Sequence, residues 1–245
     1  MKANIIRLPE TTSTNTYAIG LLSKERPKEG SVIITDHQTH GKGTDNNSWE
    51  SEKGKNLTFS LILYPSFKAD QQFVLNKAIS LGIRDFLIAE LAQNDITIKW
   101  PNDIYIGNKK VCGILIQNSV IGIHLDYVVA GIGLNVNQTN FTSDAPNPVS
   151  LKMVTGTDYD LDELLQKLLN FLFEKYSQVK PETSHEIENE YIKSLYRLME
   201  WHEYILNGVI TLARITGTNA YGQLELEHKN GQVFTYDLKE VKFII

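Results

Sequence analysis

The chain has 245 residues, 42% of them hydrophobic and 22% charged, with a formal net charge of −5. This supports one large domain, or a large domain with a small appendage, and argues against nucleic acid as the main partner, because phosphate binding needs a clustered basic face. Cys112 is the single cysteine, which excludes an intrachain disulfide and a cysteine-cluster metal site. There is no apolar run long enough for a membrane span, and Met1 to Glu10 lacks the apolar stretch of a secretion signal, so the expectation is a soluble, cytoplasmic protein.

In chain order, Ser13 to Lys24 predicts a helix that opens on a hydroxyl cap and carries Tyr17, Leu21 and Leu22 on one face. Gly30 to Asp36 is β-branched and follows a glycine, so it reads as a buried strand, and Thr58 to Leu63 as a second. Gln72 to Ala92 carries apolar residues at helical spacing. Asp95 to Trp100 alternates as a strand. The chain then turns at Pro101-Asn102-Asp103 and returns through Lys109 and Lys110 into an apolar strand. Ile121 to Val136 is too long and too rich in glycine for one strand, which predicts a hairpin turning near Leu125-Asp126. Asp160 to Val179 is an amphipathic helix with a capping-box pair, Asp160 and Glu163, and Thr183 to Met199 repeats the device with Thr183 and Glu186. After Trp201 only short β-rich runs remain, and Asn230-Gly231 signals a hairpin turn with positive φ at both central positions.

Four segments depart from ordinary scaffold. Ser13-Thr14-Asn15 serves as a helix cap and also presents hydroxyl and amide groups at a rim. Asp36 to Trp49 is a polar, glycine-rich loop after a strand. It can lay N–H groups around an anion, or it is a plain surface loop. Walker and dinucleotide fingerprints are both absent. Lys99 to Asp103 with Lys109 to Leu115 gathers an amide, a carboxylate and two lysines at a hairpin mouth. Ala130 to Asn137 is an apolar strand that ends in two asparagines, each needing a structural partner or a ligand. Cys112 reads as a small buried apolar residue, and the six histidines show no metal-ligand spacing.

In order, these motifs are Ser-Thr-Asn, Gln-x-x-Gly-Lys-Gly with a downstream tryptophan, Lys-Trp-Pro-Asn-Asp, Lys-x-x-Gly-Ile-Leu and Gly-Ile-Gly-x-Asn-Val-Asn. Together with Asn147-Pro-Val-Ser-Leu151 and the tail ending Lys239-Glu-Val241, they resemble the biotin–protein ligase family over nearly the whole chain. The resemblance implies an α+β fold: a mixed β-sheet flanked by helices, related to class II synthetases, over 1–200, and a small C-terminal SH3-like β-barrel over 201–245. It implies ATP-dependent activation of biotin to biotinyl-5′-AMP, then transfer to a lysine on a biotin carrier domain of a carboxylase. The alternatives are a lipoate–protein ligase or acyltransferase of the same superfamily, or a non-catalytic biotin sensor.

By the same resemblance, Ser13, Thr14, Asn15, Gln38, Gly41, Lys42, Gly43, Thr44, Lys110 and Gly113 surround biotin. Trp49, Lys99, Asn102, Asp103 and Asn135 face ATP, and Asp103 its Mg²⁺. Lys110 is the principal catalytic residue, with Lys42 and Asp103 beside it. Lys42 stands where the family usually has arginine. Thr44-Asp45-Asn46-Asn47 replaces a stretch often rich in arginine, which implies weaker retention of the adenylate. Bifunctional relatives carry an N-terminal helix-turn-helix, and Ser-Thr-Asn at residue 13 leaves no room for one, so with the acidic balance no role on nucleic acid is expected, and without an apolar span none on a membrane. The oligomeric state is open, a homodimer included.

Overall fold

The structure is a computed structural model that describes residues 3–43, 47–143, 147–180 and 183–245. Seven strands form the larger sheet: β1 (Asn4–Leu8), β2 (Ser31–Thr35), β3 (Leu57–Leu63), β4 (Ile96–Lys99), β5 (Asp103–Ile106), β6 (Lys109–Ile121) and β7 (His124–Leu134). Their spatial order is β1-β2-β3-β7-β6-β5-β4. Only β1 and β2 pair in parallel, and every other neighbour is antiparallel.

Two helical layers cover this sheet unequally. Helix α1 (Thr14–Leu22) packs on β2, β3 and β7 around a small core of Ala18, Ile33, Ile62 and Val129. The opposite face takes α2 (Phe73–Leu91), α4 (Leu161–Ser177) and α5 (Ser184–Lys193), and its core includes Leu57, Phe59, Leu61 and Leu63 from alternate positions of β3. Because α1 is only nine residues long, it leaves part of its face of the sheet open. A short helix, α3 (Leu151–Thr155), follows β7.

Asp160 caps α4, its carboxylate accepting from the amides of Asp162 and Glu163, which is one half of the expected capping box. Asp160→Ala should cost about 1 kcal/mol, read as a fall in Tm of about 2–4 °C for a chain of this size. An unchanged melting curve would mean the cap contributes nothing.

The expected helix over 183–199 is shorter than its periodicity suggested. Thr183 makes no cap bond, its hydroxyl turning back to the carbonyls of Gln178 and Lys180. The helix stops at Lys193 because the chain is then drawn onto the free edge of β4: Ile98 N donates to Ser194 O and Tyr196 N to Ile98 O. The hairpin expected to turn near Leu125-Asp126 instead turns at Gly122-Ile123, where Gly122 has φ +61° and Ile121 pairs with His124. Leu125 and Asp126 lie inside the strand. β1 was not foreseen.

The small unit expected after residue 200 is a five-stranded antiparallel sheet of β8 (Trp201–Leu206), β9 (Val209–Thr218), β10 (Leu224–His228), β11 (Val233–Tyr236) and β12 (Val241–Phe243), in the order β11-β10-β9-β8-β12. The two-residue turn with positive φ at both positions is Asn207-Gly208, at 47° and 85°. At the predicted Asn230-Gly231, only Gly231 is left-handed (φ +80°) and the loop is longer, closing with His228 N on Gln232 O. Trp100 Nε1 donates to Gly222 O at 2.9 Å, and Thr218 donates to Glu188, which is ion-paired to the buried Lys77. These bonds dock the small sheet on the turn after β4 and on the helical layer. Among the described residues no helix is long and apolar enough to cross a membrane.

Candidate active site

The open part of the α1 face is a cleft of about 460 Å³, counted with the open solvent at its mouth. Its floor follows from strand alternation. On β3, β6 and β7 the residues facing away from the helical core are Thr58 and Ser60, Gly113 and Leu115, and Gly131 and Gly133. Register then lines up Thr58, Gly133, Gly113 and Asp103 in one row, and Ser60, Gly131 and Leu115 in the next.

Three glycines in adjacent positions leave bare backbone, and the side chains above use the space. A Cβ on Gly131 would overlap the Asn15 carboxamide, and one on Gly133 the Trp49 indole. One on Gly113 would lie 2.9 Å from Trp49 Cζ3 and 3.3 Å from Lys110 Nζ.

Strand alternation alone would point Lys110 with Cys112 into the core, away from Gly113. A β-bulge prevents this. Ile104 pairs with Cys112 and Tyr105 with Lys110, so Val111 has no partner on β5. Val111 and Cys112 are both fully buried in the helix-side core, and Lys110 emerges on the cleft side with Gly113. Its backbone is clamped on the other side as well, by Lys110 N on Asn147 O and Val149 N on Lys110 O. The ammonium so placed lies 2.7 Å from Asp103 Oδ1 and 5.6 Å from the Trp49 ring centroid. Burial pushes the Cys112 thiol pKa up, with Lys110 only partly opposing it, so the thiol is inert, as the sequence suggested.

The polar end of the cleft is built by the parallel pair β1 and β2. Both strands deliver their following loops to the same edge, where the pairing continues as Thr11 N to His37 O, Thr39 N to Thr11 O and His40 N to Thr12 O. This brings the start of α1 against Gln38: Thr14 N donates to Gln38 Oε1 at 2.8 Å. Ser13, Thr14 and Asn15 are buried, yet the Ser13 side chain makes no cap bond to the helix. Asn15 Nδ2 donates to Leu115 O and Gln117 Oε1, while Ser60 Oγ lies 2.6 Å from Asn15 Oδ1 and 2.7 Å from Thr14 Oγ1. Such a network holds its donors and acceptors in fixed directions.

Of the site residues expected from sequence, Ser13, Thr14, Asn15, Gln38, Lys42, Gly43, Trp49, Asp103, Lys110 and Gly113 line this one cleft. Thr44 lies outside the described residues, as do Asp45 and Asn46. Gly41 sits behind Trp49, whose amide donates to its carbonyl. Asn102 is turned to Ile114 O at 2.7 Å and braces the hairpin mouth. Lys99 packs over the rings of Phe243 (4.6 Å) and Tyr105 (5.7 Å), and burial lowers its pKa, against the pull of Asp103. Asn135 fastens the strap on Lys110 through Nδ2 on Val149 O, and its Oδ1 is buried without a partner among the described residues.

Sequence reasoning passed over Thr58, Ser60, Gln117, Gly131 and Gly133 as site residues. The polar members of Leu57-Thr-Phe-Ser-Leu and the alternate glycines of Ala130-Gly-Ile-Gly were the available signal.

The arrangement suits a ligand with a neutral polar head at the Ser13–Gln38 end and anionic groups at Lys110. The donor set for a metal is thin. Among the described residues no cluster of three or more His, Cys, Asp or Glu side chains could hold one, and Asp103 is the one carboxylate in the lining.

Residues 8–135 match the model of the biotin/lipoate A/B protein ligase family. The chain is 33% identical over 182 residues to the bifunctional ligase/repressor BirA of Bacillus spizizenii, covering 71% of this chain and 54% of that protein. It thus spans about half the length of that relative. It is 31% identical to the biotin–[acetyl-CoA-carboxylase] ligase of Paracoccus denitrificans, covering 66% of this chain and 68% of that one. The solved biotin protein ligase from Aquifex aeolicus, in complex with biotin and ATP, superposes with a TM-score of 0.79 at 26% identity, over 98% of this chain and 97% of that chain.

Proposed function

The chain belongs to the biotin/lipoate A/B protein ligase family, and on that premise we propose that it joins biotin to ATP as biotinyl-5′-AMP and passes biotin to a lysine on a carrier domain of a biotin-dependent carboxylase. The observation that carries this reading is the polarity of the cleft, neutral at Ser13, Thr14, Asn15 and Gln38 and cationic at Lys110. A ureido ring is a neutral head that both donates and accepts, which hydroxyl and amide groups satisfy.

Activation brings a carboxylate against the α-phosphate of ATP, two anions that repel. Lys110, held by bulge and strap, places an ammonium between them, and its interaction strengthens as charge builds in the transition state. Asp103 holds that ammonium in line before substrate arrives. Asp103, the one carboxylate in the lining, would hold a Mg²⁺ ion that came with the phosphates of ATP. There the ion would supply positive charge against the leaving pyrophosphate. Trp49 and the residues around Lys42 cover the mixed anhydride and keep water from it until the acceptor amine attacks and AMP leaves. No covalent bond to the enzyme forms.

The reading places the ligase unit over 1–200 and a small β-unit over 201–245, supported by the separate hydrogen bonding of the two sheets, and it places the protein in the cytoplasm with carboxylase carriers. Incubation with ATP and either biotin or lipoate, scored by pyrophosphate release and by label on a carrier domain, tests it. Release with biotin and labelling of the carrier is the expected result. Release with lipoate alone would move the chain to the lipoate branch, and tight biotin binding with no release would make it a sensor.

A further inference from the structure

Glu50 directly follows the cleft tryptophan and points away from the cleft. Its carboxylate is nonetheless saturated with donors from a loop some ninety positions later in the chain. Oε1 accepts from Thr142 N at 2.9 Å and Thr142 Oγ1 at 3.1 Å, Oε2 from Ser143 N at 2.8 Å, and Gln138 Nε2 approaches at 3.4 Å. Burial acts to raise the Glu50 pKa, but the bonds from Ser143 and Thr142 outweigh it and leave the group below the usual carboxylate value.

The same two segments are joined again behind it. Buried Gln138 accepts from Glu52 N at 2.9 Å and Asn56 Nδ2 at 2.6 Å, and Asn56 Oδ1 accepts from Val136 N at 2.9 Å. Residues 135–143 begin at Asn135, and beyond them Asn147 to Val149 clamp Lys110. On the other side Trp49 is tied to Gly41 and lies on Gly113 and Gly133. Glu50 therefore joins the segment that carries the cleft aromatic to the segment that leads into the lysine strap.

We propose that Glu50 is a positioning residue for the nucleotide end of the cleft, fixing the Trp49 segment to residues 142–143 so that the indole is held over the glycine floor. The proposal rests on the ligase reading above. Charge-assisted bonds to two backbone amides are strong, and their loss frees Trp49 while Lys110 keeps its own backbone clamp at Asn147 and Val149. The effect then falls on binding shared by ground and transition states, which moves KM and leaves kcat.

In the full chain, Glu50→Ala is expected to raise KM for ATP about tenfold with kcat within about twofold, and Glu50→Gln, which keeps one acceptor oxygen, should fall between it and wild type. Unchanged KM for ATP in both variants, or a loss confined to kcat, overturns the proposal. Amide exchange at Trp49 is independent of turnover and should be faster in Glu50→Ala. If wild type shows no pyrophosphate release with biotin, the ligase reading fails and exchange at Trp49 alone decides. No change there overturns the role of Glu50 in holding the segment.

Discussion

Lys110→Ala should lower the rate of biotin-dependent pyrophosphate release by about 10²–10³-fold, the usual effect of removing one preorganised group aimed at developing charge. The fold should survive. The lysine is part exposed and its partner Asp103 equally so, so the lost ion pair costs at most about 1 kcal/mol. The bulge that aims the side chain is a backbone feature and remains. Biotin alone should bind the variant nearly as well, because the neutral wall at Ser13, Thr14, Asn15 and Gln38 is untouched. Single-turnover formation of the adenylate is the decisive measurement. A variant that activates biotin within about threefold of wild type would remove Lys110 from the chemistry.

Gly131→Ala is the second large effect, and it arises at the other end of the cleft. The added methyl would overlap the Asn15 carboxamide, and Asn15 has nowhere to go, being buried and bonded to Leu115 O, Gln117 and Ser60. Overpacking of this kind costs about 1–3 kcal/mol, or a fall in Tm of roughly 2–10 °C. Asn15 is also part of the proposed biotin wall, so KM for biotin should rise at least about tenfold, the equivalent of one lost hydrogen bond with a buried partner left unpaired. Gly20→Ala is the control, since a Cβ there meets nothing within 4 Å. Equal behaviour of the two variants would sink the argument.

Much of the site was legible because its residues sit in short polar interruptions of apolar strands, and those interruptions exist only where a strand stops facing core. What escaped was whatever depended on pairing between distant segments. Residues 4–8 carry no strong alternation because β1 is an edge strand, partly exposed and crossed by Arg7. Yet that strand brings Ser13 and Gln38 together, so the motifs could be found and their meeting could not be derived. The bulge at Val111 is set by the register of β5 on β6, and no residue in Lys109 to Gly113 announces it. The helix after Thr183 was read too long for a related reason: its own periodicity runs on, but the open edge of β4 takes residues 194–196 as pairing partners. The turn at Gly122 was a misreading of available signal, since glycine was present and Asp126 was preferred.

Where the cleft is floored by Gly113, Gly131 and Gly133 there are no side chains to rotate or trim. Its height is set by a hydrogen-bonded ladder of strands buried on their far side, and that ladder cannot be lowered by substitution. Engineering this protein to accept a bulkier analogue therefore has to work through the walls. Gln38 and Trp49 are wall positions where volume can be removed, and every change made at the three floor glycines can only add it.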